Sequence, residues 1–462
     1  MISPVRPQNK TWHGWRAFAA VLAGAAAAIS SAHAANVLPA ITAQPAGLVA
    51  QPGGLDFAKD DDFLEDLEHR SFLFFWETAN PANGLVPDRA KADGSGPGKI
   101  ASIGSVGFGL TALCIGAQHG WINRAAAYDR VLTTLRFFAE KVPSEHGFYF
   151  HFVDMKTGQR AWNSELSSID TWLLLSGVLT VRQYFHGTEV EQLATKLYEQ
   201  ADWQWMQNGG ETLNMGWKPE SGFLEHRWDG FSEHLAMYLM AMSSPTHGVG
   251  ADAWKAIKRE PALTHYQGFT YYQYPPLFIH QYPHAWIDFR DQKDAFTDYW
   301  ANSKAATLAH EKFCESLKDR FPAYEKLWGI TASESQKGYM DWGGPPVGNR
   351  VGFDQRIDGT VVPCAAGGSI PFAPQDCISD LRRMQQEYGS KIYLKYGFVD
   401  AFNPQSGWVG ANVLGIDVGI TLVMAENYRT GFVWHTFMAN PEIAQAMKVA
   451  GFVRTVAAAT TR

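Results

Sequence analysis

Cysteine is scarce in this chain of 462 residues, which has only four. Four thiols are too few for the disulfide-dense scaffolds on which small exported domains rely. Cys114 and Cys314 lie in helical patterns, which predicts two buried thiols. Cys364 and Cys377 flank a segment rich in glycine and proline. A disulfide there would close about fourteen residues and add about 3 kcal/mol, so a bridge and two free thiols are both open interpretations.

The chain also lacks the loops that bind nucleotides. Residues 96–99 are followed by Ile100, where a phosphate-binding loop has serine or threonine, and residues 104–109 lack the strand and acidic partner of a dinucleotide site. The Gly-x-Ser-x-Gly elbow of serine esterases is missing as well. His280 and His284 are four residues apart, but Pro283 breaks the helix that would align them on a metal ion. We therefore predict no cofactor and no metal.

The amino terminus has the pattern of a signal peptide. A basic region with Arg6, Lys10 and Arg16 precedes an apolar stretch, residues 17–29, that is too short to span a bilayer. Ala-His-Ala at residues 32–34 is a small-residue cleavage site. Residues 1–34 are thus predicted to be removed, residues 35–56 to form a flexible leader, and the mature protein to be periplasmic or secreted.

Positive charge is in deficit, with 39 basic against 46 acidic residues. Removal of the three basic residues of the signal takes the formal charge from −7 to −10. Such a surface disfavours nucleic acids and anionic glycans, which bind basic grooves, and favours a neutral polysaccharide as partner. After the signal, no window of about 18 residues is free of charged or strongly polar side chains, so no membrane insertion is predicted. The sequence does not indicate the oligomeric state.

Aromatic residues are abundant, at 13% of the chain, with 17 tryptophans. Residues 215–234 (MGWKPESGFLEHRWDGFSEH) combine aromatic side chains with carboxylates. A glycan presents apolar C–H faces between hydroxyl groups, so flat aromatic surfaces beside a proton-donating carboxyl indicate a carbohydrate enzyme. A loop whose tryptophans pack on the core is the structural alternative.

Most of the chain has helical periodicity, which begins with acidic residues and a repeat of apolar ones at residues 61–78. We predict a single domain over residues 57–462: an all-α ring of helical hairpins, in which rim loops build a cleft. Residues 147–158 predict one short β-hairpin, and residues 338–375 a long functional loop over the cleft mouth. Further helices are predicted at residues 105–118, 124–141, 164–184, 189–207, 231–243, 292–317, 378–388 and 417–428.

Several carboxylates occur where predicted helices begin. Glu165 and Asp170 follow Ser164, a plausible helix cap, with Ser167 or Ser168 as the alternative. Asp229 and Glu233 are spaced i,i+4 at the start of another helix, where acidic residues also serve as ordinary caps. Asp417 is surrounded by apolar neighbours, a costly placement that suggests a function.

Many phrases of the sequence resemble the glycoamylase-like domain of glycoside hydrolase family 144, over about residues 57–438. Two positions depart from the expected pattern: Gln375 stands where a glutamate is expected after Ala-Pro, and Cys364 where a tyrosine is expected. These departures affect details of substrate binding more than the chemistry. The matching phrases are SIGSVGFGL at 102–110, SELSSIDT at 164–171, MGWKPE at 215–220, HQYPHAWIDFR at 280–290, DGTV at 358–361, SIPFAP at 369–374 and ENYRTG at 426–431.

This resemblance implies an (α/α)6 toroid that hydrolyses β-1,2-glucan, usually internally and with inversion. It assigns Glu233 as general acid and Asp417 as general base, with Asp170 as a further catalytic candidate. Glu165, Asp229 and Asp400 are candidates for substrate binding or as reserves. For stacking on sugar rings we propose Trp217, Trp228 and Trp286. For binding hydroxyl groups we propose His284, Arg290, Tyr428 and Arg429, although each arginine is about as consistent with a structural ion pair.

Other functions remain open at this point. A related toroid enzyme could release disaccharides from chain ends or act as a transglycosylase. A polysaccharide lyase is disfavoured by the acidic charge, since lyases act on uronate chains and need cationic groups. A glycan-binding protein without catalytic activity is the alternative from another class.

Overall fold

The computed structural model of the protein describes residues 55–96, 98–348 and 356–455. The predicted signal peptide and leader residues 35–54 lie outside the described residues. Within these ranges, no helix combines the length and the apolar character needed to cross a membrane.

The α-helices are α1 Asp60–Thr78, α2 Ile103–Gln118, α3 Arg124–Glu140, α4 Ser168–Tyr184, α5 Glu189–Glu199, α6 Trp203–Gln207, α7 Leu235–Ser243, α8 Ala251–Lys255, α9 Tyr299–Ser316, α10 Pro363–Gly367, α11 Pro374–Tyr388, α12 Gly415–Arg429, α13 Phe432–Met438 and α14 Pro441–Val449. Turns of 3-10 helix cover Glu260–Ala262, Leu277–His280, Tyr282–His284, Pro322–Glu325 and Gly389–Lys391.

Six elements form an inner ring, in which each packs against the next. α2 packs against both α4 and α12, α4 packs against α7, and α7 packs against the 3-10 turn Tyr282–His284. α10 packs against α12. Gln281 closes the ring, because its Nε2 donates to the carbonyl oxygen of Ala365 in α10 and to Ser369 Oγ, each at 2.8 Å.

An outer helix precedes each inner element in the sequence. These outer helices are α1, α3, α5, α8, α9 and α11, and each contacts one or two inner elements, α9 through the contact of Ser303 with His284. α1, for example, packs between α12 and α2, which joins the two ends of the ring. Six such hairpins form an (α/α)6 toroid, so the fold predicted from helical periodicity and from the family resemblance is confirmed.

The inner helices are buried on all sides, and small residues allow them to approach closely. In α2, every residue from Ile103 to Gly116 is buried. A Cβ atom on Gly107 would lie 2.1 Å from the carbonyl oxygen of Leu173 in α4, and one on Gly177 would lie 2.1 Å from that of Gly107. Any larger residue at these two positions would force the central pair of helices apart.

The inner helices run parallel, so their amino-terminal ends meet on one side of the toroid. The carboxy-terminal helices cover the opposite side. Asn440, which precedes α14, accepts a hydrogen bond of 2.8 Å from Arg182 near the end of α4. Trp434 Nε1 in α13 donates to the carbonyl oxygen of His284 at 2.7 Å. The amino-terminal side is therefore the one where rim loops can form a cleft.

Short strand pairs occupy the connections, and there are more of them than the single predicted hairpin. Each adds only two to four backbone pairs, which is why the sequence shows so little strand periodicity. The predicted segment itself divides: β4 Phe148–Tyr149 pairs with β3 Ser144–Glu145, whereas β5 Phe152–Asp154 pairs with β2 Ile100–Ser102. The other strands are β1 Arg89–Lys91, β6 Leu166–Ser167, β7 Gly216–Lys218, β8 Gly222–Phe223, β9 Leu263–Tyr266, β10 Phe269–Tyr272, β11 Gln292–Lys293, β12 Ser333–Ser335, β13 Gly338–Met340, β14 Tyr393–Leu394, β15 Gly397–Phe398, β16 Phe402–Asn403, β17 Trp408–Val409, β18 Asn412–Leu414 and β19 Val453–Arg454, with β2, β3, β4 and β5 the four just named.

Helix boundaries differ from prediction where a polar side chain caps a later start. α4 begins at Ser168, because Ser167 Oγ accepts a hydrogen bond from the backbone N–H of Asp170, and Ser164 is not the cap. Asp298 caps α9 in the same way, so that α9 begins at Tyr299, seven residues after the predicted start at residue 292. The predicted loop 338–375 also contains the inner helix α10, and its residues 349–355 lie outside the described residues.

Candidate active site

Acidic side chains gather where the inner helices begin. Asp170 lies in the first turn of α4, Glu233 lies two residues before α7, and Asp417 lies in the first turn of α12. All three are buried. The free backbone N–H groups of helix amino termini favour negative charge, so the toroid supports several carboxylates at this end.

His151 lies between two of the predicted carboxylates. Its Nδ1 is 3.2 Å from Glu165 Oε1, and its Nε2 is 3.4 Å from Asp170 Oδ1. Burial would lower the pKa of His151, but the charges of Asp170 and Glu165 outweigh this effect and raise it to about 9. The ring is therefore an imidazolium at neutral pH, and it holds both carboxylates in place. His151 was not predicted as a site residue, because the residues around it have the alternating pattern of an ordinary strand.

Asp170 and Glu165 respond differently to this shared cation. Burial raises the pKa of Asp170, although Ser167 donates a hydrogen bond of 2.6 Å to its Oδ2. Burial also acts to raise the pKa of Glu165, but the hydrogen bond and charge of His151 lower it overall. Oε2 of Glu165 is buried without a hydrogen-bond partner among the described residues. Such an atom is suited to a ligand hydroxyl group.

Glu233 has the properties of a general acid. Burial raises its pKa to about 7, while a hydrogen bond from the Ser232 hydroxyl to Oε2 opposes the shift. Within the described part of the chain, Oε1 has no hydrogen-bond partner. A carboxyl group with this pKa holds its proton near neutral pH and can donate it to a leaving oxygen atom.

Asp417 is buried beside a second acid, Asp400, and the thiol of Cys364. Tyr282 Oη lies 3.5 Å from Oδ1 of Asp417, whereas Oδ2 has no hydrogen-bond partner among the described residues. Burial raises the pKa of Asp417 to about 6, and interactions with Asp400, Cys364 and Tyr282 oppose a larger shift. The pKa of Asp400 is raised well above its usual range, mainly by burial and then by the charge of Asp417. Of this pair, Asp417 is the ionised member and Asp400 carries the proton.

Two residues that were not predicted, Glu334 and Arg89, support the pair Asp400 and Asp417. The backbone N–H of Glu334 donates to Asp400 Oδ2 at 2.6 Å, and the Glu334 carboxylate accepts a bond of 2.7 Å from Arg89 Nη1. Arg89 also contacts Asp88 at 2.8 Å. These residues belong to short connecting strands, so no motif in the sequence marks them.

The pKa of Tyr282 responds to both carboxyl groups that the family resemblance assigns to catalysis. Burial raises its pKa well above the usual range, and the negative charges of Asp417 and Glu233 both add to the shift. Its phenol therefore lies within electrostatic range of both groups. An acid that keeps its proton and a base that is ionised thus occur at one end of the toroid.

A cavity of about 400 Å³ is lined by Ser232 and His234, the two neighbours of Glu233 in the sequence, but not by Glu233 itself. Asp229 lines it, and its Oδ2 is 3.1 Å from Lys258 Nζ, so the predicted substrate-binding residue borders the cavity as half of an ion pair. The volume is within the range of sites that bind small ligands or a few sugar units. Trp228, Phe231, Pro261 and Val347 also line the cavity.

Of the three tryptophans proposed for stacking, two are buried and the third is half-buried. Trp228 is 2% exposed, and its Nε1 donates to Ser168 Oγ at 2.9 Å. Trp286 is 1% exposed, with Nε1 3.0 Å from Thr111 Oγ1. Trp217 is half-buried and packs on Trp205, with ring centroids 5.9 Å apart. Burial of indole rings in the core explains these placements, as in the structural alternative above.

The four proposed hydroxyl binders lie away from the carboxylates. His284 is buried in the core, where Nε2 is 3.0 Å from Ser303 Oγ and burial lowers its pKa to about 3. Arg290 forms an ion pair of 2.7 Å with Asp288. Tyr428 and Arg429 lie at the carboxy-terminal end of α12, opposite Asp417. The structure thus supports the ion-pair interpretation of both arginines.

Arg429 belongs to a cluster that resembles a metal site. Ligand atoms of Glu65, Glu68 and His119 lie within 4.8 Å of one another. However, Nη1 of Arg429 is 2.8 Å from Glu65 Oε2 and 2.5 Å from Glu68 Oε2. The guanidinium group already supplies positive charge at the position that a cation would need, so this cluster is an ion-pair network.

Cys364 and Cys377 are free, buried thiols and do not form the bridge that their spacing allowed. They occupy successive helices, α10 and α11, with different surroundings. The thiol of Cys364 faces Asp417, whereas the charges nearest to Cys377 are those of Asp380 and Asp376. Cys114 and Cys314 are free and buried, as predicted.

Sequence comparisons give a family model and a curated relative named for its action on β-1,2-glucooligosaccharides. The family model Glycoamylase, described as "Putative glucoamylase", matches residues 225–441. An exo β-1,2-glucooligosaccharide sophorohydrolase (non-reducing end) of Parabacteroides distasonis is 26% identical over 428 residues, which are 84% of this chain. This chain spans 58% of the length of that relative.

Solved structures give the same family. An endo-β-1,2-glucanase from Chitinophaga pinensis, in complex with sophorotriose and glucose, is 30% identical with a TM-score of 0.78, and the match covers 86% of this chain and 99% of that one. A β-1,2-glucanase from Parabacteroides distasonis is 25% identical with a TM-score of 0.78, over 85% of this chain and 60% of that one. By this identity over nearly a whole relative, and by the shared toroid, the chain belongs to the glycoamylase-like proteins of glycoside hydrolase family 144.

Proposed function

We propose that the protein is a glycoside hydrolase that cleaves β-1,2-glucan internally and releases short β-1,2-glucooligosaccharides. The main observation is the pair of buried carboxyl groups in opposite protonation states, Glu233 with a pKa of about 7 and Asp417 as the ionised partner of Asp400. The substrate is supported by the 30% identity to an endo-β-1,2-glucanase.

The reaction is a single displacement with inversion. Glu233 donates its proton to the glycosidic oxygen as the bond from that oxygen to the anomeric carbon breaks. A water molecule attacks the opposite face of the sugar, and Asp417 accepts the proton that this water releases. A crowded 1,2-linkage can pass this proton through a substrate hydroxyl group or a second water. The imidazolium of His151 holds Glu165 and Asp170 in place beside the reacting groups.

The first experiment compares substrates. Purified mature protein is incubated with linear β-1,2-glucan and, in parallel, with β-1,3-glucan, β-1,4-glucan and starch, and product sizes are followed over time. A spread of short oligosaccharides from β-1,2-glucan alone is the expected result. Early NMR spectra should show α-anomeric reducing ends, because inversion converts the β-linkage. Absence of products from every glucan would overturn the proposal and favour a glycan-binding protein.

An exo-acting hydrolase is the second candidate, because one relative is named as a sophorohydrolase that acts at the non-reducing end. Disaccharide as the main product from the earliest times would identify this mode. A transglycosylase would instead form products longer than the supplied oligosaccharide. The endo mode has more support, since the endo-acting relative is more similar and is matched over almost its whole length.

We also propose that the enzyme acts in the periplasm or outside the cell, on a neutral glucan and without nucleic acid partners. The signal-like pattern of residues 1–34 and the acidic charge of the remainder support this location and this choice of substrate. Cell fractionation with amino-terminal sequencing of the mature protein tests it. A mature chain that begins near Ala35 is expected, and an intact cytoplasmic chain would contradict the proposal.

A further inference from the structure

Trp162 is the exposed tryptophan among the described residues, with 46% of its surface accessible. It lies three residues before Glu165, in the connection that leads to α4. The tryptophans favoured by the sequence are committed to other contacts, as described above. Trp217 in particular lies in strand β7, where a Cβ atom on its neighbour Gly216 would lie 2.9 Å from Glu165 Cγ, and successive side chains of a strand point to opposite faces. A free indole face near the carboxylates is therefore a property of Trp162.

A strained turn, fixed by hydrogen bonds, keeps the ring of Trp162 exposed to solvent. Trp162 and Asn163 both have positive φ, 54° and 51°, which is uncommon for residues other than glycine. Hydrogen bonds on both sides fix the turn: the N–H of Ala161 donates to the carbonyl of Phe152 at 2.9 Å, and the N–H of Ser164 donates to the carbonyl of Ala161 at 3.0 Å. The chain thus holds a large apolar side chain outward at a conformational cost.

Neighbouring loops add to this support. Arg160 Nε donates to the carbonyl of Ser164 at 2.6 Å, which closes the turn around Trp162. The guanidinium group of Arg160 also pairs with Glu220, between strands β7 and β8. Arg160 therefore joins the connection that contains Trp162 to the connection between β7 and β8.

Trp162 is connected to the catalytic cluster through two ring contacts. Its ring packs on Phe152, with centroids 4.9 Å apart and planes at 60°. Phe152 in turn stacks on His151, with centroids 3.8 Å apart and planes at 16°. His151 contacts Glu165 and Asp170 directly. The exposed indole is thus close to the site but separated from the carboxyl groups by two rings, those of Phe152 and His151.

We propose that Trp162 is a stacking platform for a glucose unit of the glucan chain that lies outside the bond being cleaved. An indole face matches the apolar C–H face of a pyranose ring and needs no charge, which fits an uncharged polymer. The position two rings from Glu165 and Asp170 suits a distal subsite rather than the reaction centre. This assignment rests on the proposed function for its substrate, but the platform makes a separate prediction about chain length.

The test compares Trp162→Ala, Trp162→Leu and Trp162→Phe with the unaltered enzyme on β-1,2-glucooligosaccharides of increasing length and on the polymer. The alanine and leucine variants should lose about tenfold in kcat/KM on long chains, a change of about 1.4 kcal/mol in binding, mainly through a higher KM. On the shortest cleavable oligosaccharide they should remain within twofold of the unaltered enzyme. Phenylalanine, which keeps a flat ring, should retain most of the activity.

Trp162→Leu serves as the folding control, since it keeps apolar bulk against Phe152 but removes the flat face. Val449→Ala is the surface control, because Val449 is 49% exposed and is the last residue of α14, on the side of the toroid opposite the carboxylates. It should behave as the unaltered enzyme at every length. A loss that is equal at all lengths and falls on kcat would overturn the proposal, as it would indicate support of the carboxylate cluster. Unchanged kinetics on long chains would also overturn it.

A binding measurement separates this proposal from the proposed function. Electrophoresis in gels that contain β-1,2-glucan is performed with Glu233→Gln and with Glu233→Gln/Trp162→Ala. Retardation of the single variant that is lost in the double variant supports the platform, even if the unaltered enzyme shows no turnover and the hydrolase proposal fails. Equal retardation, or none in either protein, overturns the platform.

Discussion

Asp400 and Asp417 form a buried pair of acids that holds one proton at neutral pH, because burial and the charge of Asp417 raise the pKa of Asp400 well above its usual range. Asp400 is fixed in this role by the backbone N–H of Glu334, which occupies its Oδ2 at 2.6 Å. The arrangement keeps Asp417 ionised at neutral pH although it is almost fully removed from water. Asp400 is therefore a positioning residue for the proposed base.

Substitution of Asp400 tests this relationship through the pH profile. With a pKa of about 6, Asp417 predicts that kcat/KM rises with pH through about 6. Asp400→Ala removes an interaction that lowers the pKa of Asp417, so this pKa should rise and kcat/KM should fall several-fold more at pH 6 than at pH 8. Asp400→Asn is the matched control, since its amide can donate to Asp417 and accept from Glu334. An acidic limb that stays in place in the alanine variant would contradict the shared-proton arrangement.

Glu233 predicts the alkaline limb of the pH profile, where activity falls as pH rises. Its pKa of about 7 means that the proton needed by the leaving oxygen is lost as pH rises through about 7. Glu233→Gln should lower kcat on β-1,2-glucan by about 10² to 10⁴-fold. Aryl β-sophorosides with nitrophenol leaving groups, which need little protonation, should be much less affected. Equal losses on both substrates would contradict the role of general acid.

Ser232 provides a milder test of the same group. Its hydroxyl donates to Glu233 Oε2 and opposes the rise of the pKa of Glu233. Ser232→Ala should therefore move the alkaline limb of kcat/KM to higher pH while the acidic limb stays near 6. A shift of both limbs together would indicate a general disturbance of the site.

The sequence was informative about helices and about residues at their ends. Apolar periodicity located nearly all long helices, and the acids Glu233 and Asp417 could be found because they stand where two of them begin. Helix geometry could even have excluded Tyr428, because eleven residues along α12 separate it from Asp417 by about 16 Å. Residue type alone could not show exposure: Trp228 and Trp286 lie in the core, whereas Trp162 is held outside by a turn that has no sequence signature.

His151 and Arg89 were missed for a different reason. His151 meets Glu165 and Asp170 because strand β5 pairs with β2 and the following chain returns to begin α4. Arg89 meets Glu334 across 245 positions of sequence. Such pairings depend on how short strands close between helices, and two- or three-residue strands leave no periodic pattern.

The free thiols give a direct chemical prediction. Since all four cysteines are free and buried, denaturation without reductant in the presence of an alkylating agent should label four thiols in the purified protein. The native protein should react slowly, because burial raises the pKa of Cys364 and Cys377 and lowers the thiolate fraction. Mass spectrometry counts the labels. Two labels, with Cys364 and Cys377 unmodified, would establish the bridge that the structure lacks.

His151 predicts a specific dependence of stability on pH. Its pKa is raised to about 9 in the folded protein, against about 6.5 in an unfolded chain. A raised folded-state pKa stabilises the protein fully below about pH 6.5, and this contribution is lost as pH rises through about 9. His151→Gln should therefore lower Tm by several degrees near pH 6.5, and the difference from the unaltered protein should shrink toward pH 9.5.

His265 offers the control for this measurement, because it is an exposed histidine that hydrogen-bonds Thr270 at 2.9 Å within a surface hairpin. His265→Gln should change Tm by little at any pH. Thermal unfolding of the three proteins between pH 6 and pH 9.5 gives the comparison. If the Tm of His151→Gln were lower by the same amount at every pH in this range, the ring would stabilise the fold by packing on Phe152. The charge of His151 would then not be what orients Glu165 and Asp170.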